Sequence, residues 1–253
     1  LVRMLRRAKK RGVLQLLKRA PEEMRPLVVE AAVAAQSVPS LVALSEFLDF
    51  SKEPKSLMEK FLYAAAFSPR PSGELLRLVL DKLDGTQLDP EVWETGIVTV
   101  GSLMGKLCQQ KLCGLQQDVE RGLETLLRGL QGAREESEVV VHLLALGNAA
   151  LPKTISILLD HAEEGPTTVT TAAISALQRF PAQHVSNKVK RAVRRIFHET
   201  RKSYEKSCRL AAAEMLLHKD PVPMDVLNIL LATREMERET ATFLLMKVQS
   251  SLR

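Results

Sequence analysis

The chain has 253 residues, 45% of them hydrophobic and 26% charged, with 12 Gly, 12 Pro, 3 Cys and a formal net charge of +6. That is enough chain for a sizeable core or a run of stacked repeats; it excludes a disulfide-stapled mini-protein, a collagen-like chain and an acidic disordered tail. Aromatic residues are few (7 Phe, 2 Tyr and 1 Trp), which turns the reading from strand-rich folds towards helices.

In chain order, the first segment is a basic strip: Arg3, Arg6, Arg7, Lys9, Lys10, Arg11, Lys18 and Arg19 precede the first acid, Glu22. Pro21-Glu22-Glu23 reads as a helix start. The longest stretch without a charged residue, Ala31 to Ser45, holds Pro39 and falls short of the ~20 apolar residues of a membrane span. Ser72-Gly73-Glu74 and Asp89-Pro90-Glu91 are further starts, the second with an N-cap, a proline at the first helical position and an acid near the positive helix end. Gly85 and Gly165 mark ends, and so does the Pro181-Ala182 step. Apolar residues then recur three and four apart: Ile155, Leu158, Leu159 and Ala162; Val169, Ala172, Ala173, Ala176, Leu177 and Phe180; Val185, Val189, Ala192, Val193 and Ile196. Each stripe is one face of a helix that a neighbour must cover. A second basic strip, Val185 to Arg209, carries nine cations against Glu199 and Glu205. Pro223-Met224-Asp225 opens a late helix.

The pattern predicts a dozen or more short helices joined by short loops, with no linker between domains. The fold class is therefore all-α, an irregular two-layered α–α superhelix of stacked hairpins spanning 1–253 as a single domain. The chain opens on Leu and shows no apolar leader, so it reads as an excerpt of a longer protein. Two basic strips on an otherwise acidic body point to two local contacts with acidic partners. Nucleic acid is disfavoured because stacking aromatics are missing.

Little in the sequence points to catalysis. Gly101-Ser-Leu-Met-Gly105-Lys106 departs from a phosphate loop in spacing, lacks the following Ser/Thr and succeeds no strand. His198-Glu199 lacks the second histidine of a zinc protease, and the five histidines and three cysteines form no ligand set. The reading is of a non-enzyme without metal or cofactor. Cys108 and Cys113 leave two alternatives. In an unbroken helix their Cα atoms would lie about 8–9 Å apart, too far for a disulfide, so either both are free or the helix breaks near Gly114 and they bridge. Arg209 enters the Ala-rich run Leu210-Ala-Ala-Ala213, where it needs a partner if buried; Glu205 is the nearest, then Glu199 and Asp225.

Glu46-Phe-Leu-Asp-Phe50, Lys60-Phe-Leu-Tyr-Ala64, Leu144-Ala-Leu-Gly-Asn-Ala-Ala-Leu-Pro152, Arg194-Arg-Ile-Phe-His198 and Met224-Asp-Val-Leu-Asn-Ile-Leu-Leu231 resemble the vitellogenin-type helical domain of the large lipid transfer protein family. The resemblance covers about residues 40 to 250. It implies a two-layered superhelix, a Cys108–Cys113 disulfide, a structural buried Arg209, and residence in the endoplasmic reticulum lumen with protein disulfide isomerase and apolipoprotein B as partners. It implies a role in moving triglyceride, cholesteryl ester and phospholipid onto nascent apolipoprotein B, with lipid held by β-sheet domains outside this chain. On that reading Lys188, Arg191, Arg194 and Arg195 are docking residues. The alternatives are a lipid carrier of the vitellogenin or apolipoprotein type and a HEAT-like scaffold.

Overall fold

The computed structural model describes residues 1–85, 87–110, 113 and 117–251. Among them are fifteen α-helices and no strand. The chain packs as two compact units, Leu1–Arg134 and Glu135–Arg253. The first holds α1 (Val2–Arg7), α2 (Lys10–Arg19), α3 (Arg25–Ala35), α4 (Val38–Phe47), α5 (Lys55–Ala66), α6 (Gly73–Gly85), α7 (Pro90–Gln109) and α8 (Gln117–Gly132). The second holds α9 (Glu136–Ala149), α10 (Ile155–Glu164), α11 (Thr167–Gln178), α12 (Asn187–Phe197), α13 (Lys206–His218), α14 (Pro223–Ala232) and α15 (Arg238–Ser251).

Each unit is two-layered. In the first, α1, α3, α5 and α7 pack in one row and α2, α4, α6 and α8 in the other; in the second, α9, α11, α13 and α15 form one row, and α10 packs on α12 in the other. This arrangement follows from the stripes. Val169, Ala172, Ala173, Ala176, Leu177 and Phe180 are all buried, as are Val189, Ala192, Val193 and Ile196. Small residues let the rows close up. A Cβ on Gly147 of α9 would stand 2.6 Å from the Cα of Ala176 on α11.

The expected starts hold where the caps are local. Asp89 accepts the Glu91 N–H at 3.0 Å, Ser72 accepts the Leu75 N–H at 3.2 Å, and α14 opens on Pro223. Pro21-Glu22-Glu23 instead forms a turn, with the Arg25 N–H reaching the Pro21 carbonyl, and α3 begins at Arg25.

Helix ends are made differently. Gln36, Ala150, Glu199 and Asp220 take left-handed φ values of 48–54° without being glycine. The carbonyls left over at helix C-termini are met by cations from elsewhere in the stack. Lys82 of α6 donates to Leu48 at the end of α4 (2.5 Å), and Lys106 of α7 to Ala66 and Ser68 at the end of α5 (2.6 and 2.8 Å). In the second unit Lys202 reaches Gly165 after α10 and Lys219 reaches Phe180 after α11. Burial lowers the Lys82 and Lys106 ammonium groups below the ordinary lysine value.

Candidate docking surface and its ion pairs

Successive residues on a helix project about 100° apart, so adjacent arginines can serve two neighbours. Arg195 donates through Nε and Nη2 to the two Glu163 oxygens on α10, at 2.7 and 3.1 Å. Arg194 does the same to Asp225 on α14, at 2.5 and 2.8 Å. Together they fasten α12 to the helices on either side, α10 and α14. Both carboxylates are sunk, with Glu163 and Asp225 side chains 12% and 4% exposed. The Arg195 hydrogen bond holds the Glu163 carboxyl below the ordinary glutamate value against the opposing effect of burial. Tyr204 adds a bond from its hydroxyl to the Glu163 carbonyl at 3.0 Å.

Arg209 on α13 donates through Nε to the Phe197 carbonyl at 3.0 Å and pairs with Glu199 at 3.0 Å. Its side chain is 27% exposed, so it is half-buried rather than enclosed. Glu205, the nearest partner by sequence, stands at the N-cap of α13 and does not pair with it. Glu199 is preferred because its left-handed backbone folds the chain back. Its carboxylate accepts the Tyr204 N–H at 2.9 Å and the Ser203 hydroxyl at 3.1 Å. Those bonds, the Tyr204 N–H foremost, lower its pKa.

The four residues expected to form a docking face therefore divide. Arg194 and Arg195 pair with buried carboxylates inside the unit, their partners 31 and 32 residues away. Lys188 and Arg191 are exposed, and the Arg191 Nε reaches only the Asn187 carbonyl of its own helix at 3.4 Å. The amino-terminal strip divides likewise. Arg6 caps Ala35 and Lys10 lies between Glu46 and Glu74, while Arg3, Arg7, Arg11, Lys18 and Arg19 face solvent.

Cys108 lies in the last turn of α7, and the helix ends before Cys113. The two are joined by a disulfide with Cα atoms 4.2 Å apart. Gly114, the expected break, lies outside the described residues. Cys208 is free and buried, with Sγ 3.5 Å from the Thr171 hydroxyl and the Thr167 carbonyl. The Gly101–Lys106 segment runs through the middle of α7, where Lys106 serves as a cap. Among the described residues no group of three His, Cys, Asp or Glu could hold a metal, and no helix is long and apolar enough to cross a membrane.

Helices stacked in two rows and stitched by lateral ion pairs define a helical-repeat domain. The chain belongs to the vitellogenin TPR domain family, whose pattern matches residues 1–245. It is 39% identical over its full length to the microsomal triglyceride transfer protein large subunit of Bos taurus, and 40% identical over 98% of its length to that of Homo sapiens. It spans 28% of the length of each of these relatives. A solved structure concerning lipid–protein interactions in lipovitellin superposes on 92% of the chain with a TM-score of 0.75 at 22% identity, covering 25% of that chain. That likeness carries the fold.

Proposed function

We propose that this chain is the structural and partner-docking helical domain of a lipid transfer protein, one that moves triglyceride, cholesteryl ester and phospholipid onto nascent apolipoprotein B. Identity near 40% along the whole chain to microsomal triglyceride transfer protein large subunits carries this reading. The domain does no catalysis. It works in the endoplasmic reticulum lumen, where the oxidising environment suits the Cys108–Cys113 disulfide, and it presents exposed cations to protein disulfide isomerase and apolipoprotein B. Lys188 and Arg191 are the docking residues of the second strip, since Arg194 and Arg195 hold the unit together.

The test is size-exclusion co-elution of the oxidised chain with protein disulfide isomerase. The expected result is a complex that Lys188→Glu with Arg191→Glu weakens, most visibly at low salt where exposed charges act furthest. A folded chain that forms no complex even at low ionic strength would overturn the docking role. The isolated chain is also expected to move no triglyceride between vesicles.

A further inference from the structure

Glycine inside a helix is less favourable than alanine because it loses more backbone freedom on folding. In this stack the missing side chain makes room for a neighbour. A Cβ on Gly96 of α7 would stand 2.4 Å from the Leu83 side chain of α6, and one on Gly122 of α8 would stand 2.7 Å from Met104 of α7. Gly147 of α9 meets the Ala176 backbone of α11 in the same way. Gly12, in the first turn of α2, is different. It is exposed, and a Cβ there would meet nothing within 4 Å. The position is open to a close neighbour that the chain does not supply.

The residues around Gly12 define what can approach. Val13 and Leu17 bury the inner side of α2. On the outer side, at 100° per residue, Arg11 and Lys18 fall about 20° apart, as do Gly12 and Arg19, and each pair is two turns or about 10.5 Å apart along the axis. Gln15 lies between these two rows. All five residues are exposed, and neither α1 nor α2 carries an acid. Lys10, on the flank, is already paired with Glu46 and Glu74. None of the five has an apolar side chain, which disfavours insertion into a membrane, and the single sign of charge repels a second copy of the same face. A flexible polyanion would use the cations but has no need of the glycine. We infer that the outer face of α2 docks an acidic helix of a partner protein. The partner's backbone crosses at Gly12, where the absent side chain allows the near end of the usual interaxial distance of about 8–10 Å. Its carboxylates, repeating about every two turns, meet Arg11, Lys18 and Arg19. This face lies in the first unit, apart from Lys188 and Arg191 in the second, and its failure leaves the reading of those two residues untouched.

The probe is a capped, alanine-rich helical peptide with a row of glutamates repeating every two turns, fluorescently labelled and titrated with the full 253-residue chain at low ionic strength. Saturable binding, read by anisotropy, is expected. Arg11→Gln and Lys18→Gln should each weaken it about two- to fivefold, the scale of one exposed ion pair. Gly12→Leu should weaken it about tenfold or more, the scale of overpacking a close contact. The same substitution should raise the melting temperature by about 1–4 °C, because leucine is the better helix former. Loss of binding in a more stable chain separates docking from folding. Unchanged or tighter binding by Gly12→Leu would overturn the close crossing. Equal affinity for a proline-interrupted peptide of the same charge, or for duplex DNA, would make the face a general polyanion patch and overturn the helical partner. Absence of saturable binding at low ionic strength would overturn the whole inference.

Discussion

Removing the Arg194 guanidinium leaves the Asp225 carboxylate, 4% exposed, without its counter-charge. Breaking such a pair from one side costs about 3–5 kcal/mol, so Arg194→Met should lower the chemical-denaturation midpoint sharply. Lys188→Ala and Arg191→Ala, both on exposed positions, should stay within about 0.5 kcal/mol. Equal losses at all three positions would sink the division of the strip into clamps and free cations. His198 makes a second residue-scale prediction. His198 stays exposed at the surface, and partial desolvation of its ring, helped by Arg209 and Arg194 and opposed by Asp225, holds the imidazole below the ordinary value of 6.5. The unfolded chain therefore takes up the proton first as pH falls. The stabilisation is complete above pH 6.5 and is lost as pH drops towards the lowered folded value. Thermal melts should show a lower melting temperature at about pH 5.5 than at about pH 7.5, on either side of the ordinary histidine value, and His198→Asn should flatten that slope.

For individual helices, glycines with and without room make opposite predictions. Gly12 lies in α2, and a methyl group added there would meet nothing within 4 Å, so Gly12→Ala should stabilise by about 0.5–1 kcal/mol through helix propensity. Gly147→Ala gains the same propensity but drives a methyl to 2.6 Å from the Ala176 backbone. Overpacking of this kind costs about 1–3 kcal/mol, so the net should be destabilising. Paired melts of the two variants check both signs. The same helices explain what could be seen in the sequence. Apolar stripes and starts such as Asp89-Pro90-Glu91 are local, written within a few residues, and they place the helices well. The clamps are not local. Arg194 and Arg195 resemble a free basic face until α12 is laid between α10 and α14. The sequence also favours Glu205 as the partner of Arg209, because only the left-handed turn at Glu199 brings that carboxylate round. Several ends are hidden too, since Gln36, Ala150 and Asp220 carry no glycine signal.

Across the whole molecule, the three cysteines give a count that any preparation can be checked against. Cys208 is 1% exposed and Cys108 is bridged to Cys113. A thiol reagent should find none reactive in the native chain, one after denaturation without reductant and three after reduction. Three thiols in the unreduced denatured chain would contradict the disulfide. The cross-stack caps bear on how such a chain can be rebuilt. Lys82 completes α4 from 34 residues away, Lys106 completes α5 from 38 and 40, and Lys219 serves the end of α11 from 39. Consensus repeats can be shuffled, trimmed or lengthened because each module carries its own boundaries. Here the punctuation of one hairpin is spelled in a later one, so cutting out a pair of helices strips its neighbour of a terminator. Recombination within this array is therefore confined to exchanges that carry donor and acceptor together.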